Sequence, residues 1–418
     1  MPTQSPRRTA HAMVAQFLRL HGYKDTLNQF REEASDGLEH IPVEGEYTPL
    51  EQLLEETELS HHMSALSLER EANENFYRKD PLPVPKEILK TYDLPAAVIM
   101  ARTHSAPEPC LVASCSDRSL RFISLEDHLP LGDSPVNPHD AVILAIDFHP
   151  TQPHWMLTAA MDGSVRITNL STSATSIASW KDHTKYVVHA VFVGPEWACT
   201  ASYDGTLNIY HHDPAGPEAW TRKAHITLPG PVEGMCGDPE SAQVYVSTRA
   251  SNHIHIYHLP DLLTKAQEDG PVRPTRRINL NANGDDWCSF TATHLALSPG
   301  PSSTRYLAVG TDSSLGLISV YLAREGRLLQ SWWAGDVGDL ARGRCAWAGQ
   351  RLVSAPGDRD IHILDPAVST SSSLCTLKDH TGNVRNVWYD PKRHWVISCG
   401  FDRTIRIWTG KEGDSSDV

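Results

Sequence analysis

Nowhere does this sequence hold the roughly 18 consecutive apolar residues that would carry a helix across a membrane, so insertion by that route is excluded. It also lacks a basic tract or an aromatic–arginine stripe. With 37 Lys and Arg against 51 Asp and Glu, the formal charge is −14, and direct binding of nucleic acid is not expected. The eight cysteines (110, 115, 199, 236, 288, 345, 375 and 399) contain no C-x-x-C pair. They read as small buried thiols in a reducing intracellular setting, cytoplasmic, nuclear or both. The G-x-S-x-G, P-loop and G-x-G-x-x-G signatures are missing, so no catalytic residue, metal ligand or cofactor is assigned. His253, His255 and His258 invite a metal reading, but no Cys or carboxylate is placed to complete the set. The N-terminus carries Arg7 and Arg8, but its apolar positions are helically spaced with no small-residue cleavage site behind them. It is not expected to act as a secretory signal.

What the sequence has is repetition. Residues 377–408, LKDHTGNVRNVWYDPKRHWVISCGFDRTIRIW, alternate apolar and polar positions and are broken by Asp, Gly and Arg turns, the pattern of short antiparallel strands. A turn Asp followed by a strand recurs at Asp117, Asp162, Asp204, Asp312, Asp358 and Asp402. Most intervals are about 45 residues, close to a period of four strands per repeat. The one long interval holds a further copy, VYVSTRASNHIHIYHL, in which Ser251 and Asn252 stand where the Asp would be. That makes seven repeats. Asp-Gly at 162–163 and 204–205 combines an acceptor for free turn amides with a residue that tolerates positive φ.

The unit resembles a WD repeat, one blade of a β-propeller. The resemblance implies a buried polar chain in which a turn His, a Ser or Thr on the second strand, the turn Asp and a Trp are linked. Only the last repeat has all four: His380, Ser398, Asp402 and Trp408. The second has His139, Thr158 and Asp162 with Thr168 in the Trp position, and the third His183, Thr200 and Asp204 with Tyr210 there. Such patchiness predicts a divergent propeller with blades of modest stability. After Trp408 only a polar tail remains, so the outer strand of the last blade is predicted to come from 86–94, KEILKTYDL, closing the ring by non-local pairing.

Residues 9–34 carry apolar side chains at Val14, Phe17, Leu18 and Leu20, then, past Gly22, at Tyr23, Leu27 and Phe30. This spacing predicts two amphipathic helices with Gly22 ending the first. Two helices this short cannot bury enough apolar surface alone. The segment resembles a LisH motif, through Phe17-Leu18, Gly22-Tyr23, Leu27, Phe30 and Glu33. The resemblance implies a homodimer packed through Val14, Phe17, Leu18, Tyr23, Leu27 and Phe30. A helical hairpin docked on its own propeller is the plainer alternative.

The expected fold is thus mainly β, a seven-bladed propeller preceded by a small α-helical dimerisation module. Its predicted divisions are the LisH motif at 7–34, a helical and linker segment at 35–85, the propeller at 86–410 and a polar tail at 411–418. In WD propellers the residue before the turn Asp, and the one after the first apolar residue of the inner strand, face the top of the central channel. Carried onto this sequence, the first set is Ser116, Met161, Tyr203, Thr311, Gly357 and Phe401, and the second Leu144, His189 and Arg385. Met161, Tyr203, Phe401 and Leu144 beside Arg385 would make a partner-binding hot spot. Plugging of the channel by the same side chains is the alternative. The loop around Asp285 and Asp286 is a further place for partner contacts.

LisH followed by WD repeats resembles several families in which the N-terminus oligomerises and the propeller docks partners. The implied function is a non-enzymatic scaffold that binds other proteins or peptides. The alternative is a substrate-recruiting or structural subunit of a ubiquitin ligase. The segments after each third strand, such as SLEDH and TGKEG, lack the W-D-x-R signature of cullin-linked receptors.

Overall fold

The computed structural model describes residues 14–33, 84–104, 108–131, 138–171, 175–213, 220–265, 272–281, 290–300, 305–338, 342–366 and 373–410. The chain divides into two compact units, Met1–Asn73 and Glu74–Val418. The loop around Asp285, most of the 35–85 segment, the 411–418 tail and Cys288 lie outside the described residues.

In the first unit, residues 14–20 are helical and a second helix runs Lys24–Glu33. Gly22 has φ +78°. Its amide bonds to the Arg19 carbonyl at 3.2 Å and that of Tyr23 to the Leu18 carbonyl at 2.9 Å, the paired bonds of a Schellman cap. A side chain there would force an L-residue into the left-handed region, which explains the glycine. Ala15 and Leu27 are buried, Val14, Phe17, Leu18 and Phe30 half-buried, and Leu20 and Tyr23 exposed. The buried stripe therefore departs from the predicted one. Leu20 falls on the open side and the small Ala15 takes the inner position.

The second unit is seven antiparallel sheets. Their inner strands are Val98–His104, Ile143–Phe148, Val187–Phe192, Val232–Asp238, Ala292–Leu297, Arg344–Ala348 and Val384–Asp390. Each sheet packs face to face on the next, so middle strands such as Cys110–Cys115 and Trp197–Ser202 are buried at every residue. Seven apolar clusters fill the seven blade interfaces. In the last of them Ile397, Ile405 and Ile407 of blade seven meet Leu111, Ala113 and Ile123 of blade one, which closes the ring.

Closure is clasped by the strand Glu87–Asp93, which pairs antiparallel with Thr404–Thr409 from Glu87↔Thr409 to Asp93↔Thr404, with a bulge at Leu89. Its Tyr92 is buried in the blade seven–blade one cluster. Among the described residues blade one shows three strands and a single outer bridge, Ile123↔Pro130, flanked by bonds from the Leu131 amide to the Phe122 carbonyl and from the Ser124 amide to the Leu129 carbonyl, both at 2.8 Å.

Candidate functional site

One end of the propeller carries the hairpins between second and third strands, and their turn chemistry shapes it. Asp162 accepts the Ser164 amide at 3.1 Å and its hydroxyl at 2.6 Å; Asp204 accepts the Thr206 amide at 2.9 Å and its hydroxyl at 2.5 Å. Asp402 does the same with Thr404, at 3.2 and 2.9 Å. The left-handed backbone falls on the following residue, Arg118, Gly163, Gly205 or Arg403. Gly163 is required twice over, since a Cβ there would sit 2.4 Å from the His183 carbonyl oxygen.

Beneath the last hairpin the full polar chain is present. His380 Nδ1 lies 2.8 Å from Asp402 Oδ2 and its Nε2 lies 2.8 Å from Ser398 Oγ, which also accepts Trp408 Nε1 at 2.8 Å. Blades two and three add a hydroxyl to the link, blade three keeping His183 Nδ1 3.4 Å from Asp204 Oδ2 as well. His139 pairs with Ser164 Oγ at 2.6 Å and Thr158 Oγ1 at 2.8 Å; His183 pairs with Thr206 Oγ1 and Thr200 Oγ1, both at 2.8 Å. Tyr210, in the Trp position, donates to Asp182 at 3.0 Å. The Trp position stays unfilled by Trp in both blades, as the sequence shows, while a Ser or Thr two residues after the Asp ties His to Asp.

The same end is organised by a repeated one-residue bulge. In six inner strands the register skips one residue near the top: Ile99, Leu144, Val188, Glu233, Thr293 and Arg385. Such a bulge bends the strand and re-aims the extra side chain. It corrects one predicted position. His189 pairs in register with Ala201, and Val188 is the bulged residue. His189 lies one step deeper, its Nε2 bonding to the Glu233 carbonyl at 2.9 Å. Burial drives His189 down to about 4, and Arg344 and Arg102 add to the effect against that bond. Thr311 and Gly357 of the hairpin set are also buried, Thr311 bonding to the Leu317 carbonyl. Ser116 is exposed.

The remaining residues form two neighbouring groups. Phe401, 52% exposed, covers the Arg385 guanidinium at 5.3 Å. Met161, 36% exposed, lines a cavity of about 490 Å³ with Tyr186, Tyr203, Lys185 and Arg249. The ring centroids of Tyr186 and Tyr203 lie 6.2 Å apart, and Arg249 stands 5.3 Å over Tyr203. Leu144 is half-buried in its bulge.

Glu233 ties the second group to Arg342. Only 5% exposed, its carboxylate accepts Tyr203 Oη at 3.1 Å, Arg249 Nε at 2.6 Å and Arg342 Nη1 at 2.6 Å. Sequence reading missed Glu233, Tyr186, Arg249, Arg342 and Arg344. Blades four and six have no His–Asp landmark from which to count, and the signal that could have found Glu233 was its place after Val232 at the start of an inner strand.

The histidine triplet splits up. His253 Nδ1 pairs with Asn252 at 2.8 Å and His258 Nδ1 with Asp261 at 2.8 Å, while His255 is buried between neighbouring strands. Among the described residues no group of three His, Cys, Asp or Glu is arranged to hold a metal. The seven described cysteines are free, and burial pushes their thiols up.

Residues 134–169 and 371–409 match the WD domain, G-beta repeat family. They cover blades two and seven, each of which has its turn His and Asp. The Notchless protein homolog of Arabidopsis thaliana is 33% identical over 64 residues, 15% of this chain and 13% of that protein. Pre-mRNA-processing factor 19 of Mus musculus is 35% identical over 72 residues, 17% of this chain and 14% of that protein. Nuclear distribution protein PAC1 of Arthroderma otae is 39% identical over 61 residues, 15% of this chain and 13% of that protein. Each match spans less than about a fifth of the relative's own length. The chain thus contains two segments that match WD40 repeats, within a seven-bladed β-propeller.

Proposed function

We propose that the protein is a non-enzymatic adaptor that binds protein or peptide partners on the hairpin end of its propeller and self-associates through its N-terminal helices. The observation that carries the first half is the grouping of exposed Met161, Tyr186 and Phe401 around Tyr203, Arg249 and Arg385. Aromatic side chains beside arginine, rimmed by polar turns, have the composition of interface hot spots. The similarity to WD-repeat proteins that bear no enzyme name points the same way. In the helical unit, exposed Leu20 and Tyr23 beside half-buried Val14, Phe17, Leu18 and Phe30 support a LisH-like module completed by a second copy. Two propellers on one dimer would engage a bivalent partner with raised effective concentration. The ubiquitin-ligase alternative rests on the order of the modules alone.

Affinity capture from cells, read by mass spectrometry, tests the surface. Replacing both Phe401→Ala and Tyr203→Ala is expected to weaken partner binding by about 2 kcal/mol or more, roughly thirtyfold, with most partners lost from the capture. Recovery of the same partners in the same amounts would end this reading. Self-association is tested separately by light scattering. The whole chain is expected at twice its monomer mass and a chain starting at residue 80 at the monomer mass; monomers in both cases would refute it.

A further inference from the structure

The channel mouth holds more buried positive charge than its one carboxylate answers. Glu233 is already engaged by Arg249, Arg342 and Tyr203. Arg344 donates Nη1 to the Thr293 carbonyl at 3.0 Å and has no carboxylate partner among the described residues. Arg385 is half-buried beneath the Phe401 ring; among the described residues its Nε is enclosed without a hydrogen-bond partner, and no ion pair to a carboxylate is formed. Burial and the surrounding guanidinium groups hold Arg344 down at about 10 and pull Arg385 below its ordinary value. An enclosed cation without a counter-charge is costly, and an incoming anion reverses that cost. This cluster sits in a chain whose formal charge is −14, so the local field is opposite in sign to the whole. The cavity beside it adds Lys185, with Arg249 already held by Glu233. Its one acid, Asp162, is occupied by Ser164.

We propose that the channel mouth is a seat for a carboxylate, and that the propeller's partner is a peptide segment with an acidic residue next to an apolar or aromatic one. The carboxylate enters between Arg385 and Arg344, forming charge-assisted hydrogen bonds. The neighbouring side chain lies in the Met161–Tyr186–Tyr203 cavity. A singly charged carboxylate is favoured over a phosphate dianion because Glu233 remains in the same cluster and repels a second strong negative charge. The proposal rests on the reading of this end as the partner surface and adds the chemistry it selects.

Peptides selected on the full chain from a random-peptide display library, then resynthesised, provide the probe. Fluorescence anisotropy would compare each peptide with its Asp→Asn or Glu→Gln form and with a phosphoserine form, at low and high salt. Selected peptides are expected to carry an acid beside an apolar residue. Its amide form, and the Arg385→Gln protein, are each expected to bind at least roughly tenfold more weakly, with Arg385→Lys intermediate and wild-type binding falling as salt rises. Thermal melting checks that the variants are folded, and the amide and salt comparisons need no variant.

Equal binding of the amide forms overturns the proposal, as does tighter binding of the phosphoserine form, which would reassign the seat to a phosphorylated partner. Peptides that ignore the acid but are lost on Phe401→Ala/Tyr203→Ala sink the carboxylate seat and leave the partner surface standing. Failure to select any peptide lost on that double substitution sinks both.

Discussion

A chain beginning at residue 96 is expected to lose the folded propeller, whereas one beginning at residue 84 keeps it. The difference is the clasp, Glu87–Asp93. Without it, Thr404–Thr409 becomes an open edge whose amides and carbonyls face water or another chain. Tyr92 also leaves the cluster that joins Ile397, Ile405 and Ile407 to Leu111 and Ile123. Removing one buried aromatic side chain costs about 3–5 kcal/mol, before the ladder bonds are counted. That is a large part of the 5–15 kcal/mol by which proteins are typically stable. The loss also falls on the one interface where the chain's two ends meet, so every blade depends on it. Circular dichroism melting and limited proteolysis would measure the effect. Two chains melting at the same temperature would show that the clasp is dispensable. Both chains lack the helical unit, so its absence cannot explain a difference.

The second large effect is acid lability. Burial pushes His139, His189 and His255 each down to about 4 from the ordinary 6.5, helped by Arg166 for His139, by Arg344 and Arg102 for His189, and by Arg277 for His255. A histidine with a depressed folded pKa is held neutral in the native state. The unfolded chain therefore binds more protons as pH falls below 6.5. The stability it lends is complete above that value and is lost progressively down to about 4. At 1.36 kcal/mol per unit, each of the three is worth on the order of 3 kcal/mol across that window. Asp402 adds to the same side. Burial alone would raise its carboxyl, but the His380 bond, the Thr404 hydroxyl and the Thr381 amide hold it well below the usual range, so its share disappears only in stronger acid.

Unfolding midpoints followed from pH 7.5 to 4 are expected to fall steeply below about 6. His255 supplies the internal control. Neither ring nitrogen has a hydrogen-bond partner, so His255→Leu removes a proton acceptor without orphaning a neighbour, and its acid limb should be shallower. A flat profile in wild type, or identical limbs in the two proteins, would contradict the account.

Repeat number and ring closure were legible because both are written in local pattern. The turn Asp and its following strand recur even where the polar chain is incomplete, as at Asp117 and Asp358. The clasp was legible in the strand pattern of KEILKTYDL at 86–94, which pairs with Thr404–Thr409. In blades two and three the absence of the Trp was legible, but Ser164 and Thr206 read as ordinary turn residues until the histidine rings are seen against their hydroxyls.

The candidate surface was legible only where a landmark allowed counting. Met161, Tyr203 and Phe401 stand next to a turn Asp, and Leu144 and Arg385 follow blades with a turn His. The bulge shifted blade three by one residue, exchanging His189 for Val188. Blade four lacks the turn Asp and blade six the turn His, so the inner-strand positions of Glu233, Arg342 and Arg344 went unread.

The sequence alone determined a ring of seven repeated sheets, its clasp and the small helical unit ahead of it, since strand alternation, turn chemistry and a Gly cap act over neighbouring residues. The tertiary structure alone decided which side chains meet at the channel mouth. Tyr203, Glu233, Arg249, Arg342 and Arg385 come from four blades. Their positions are set by packing between blades and by one-residue bulges, and neither leaves a periodic trace along the chain.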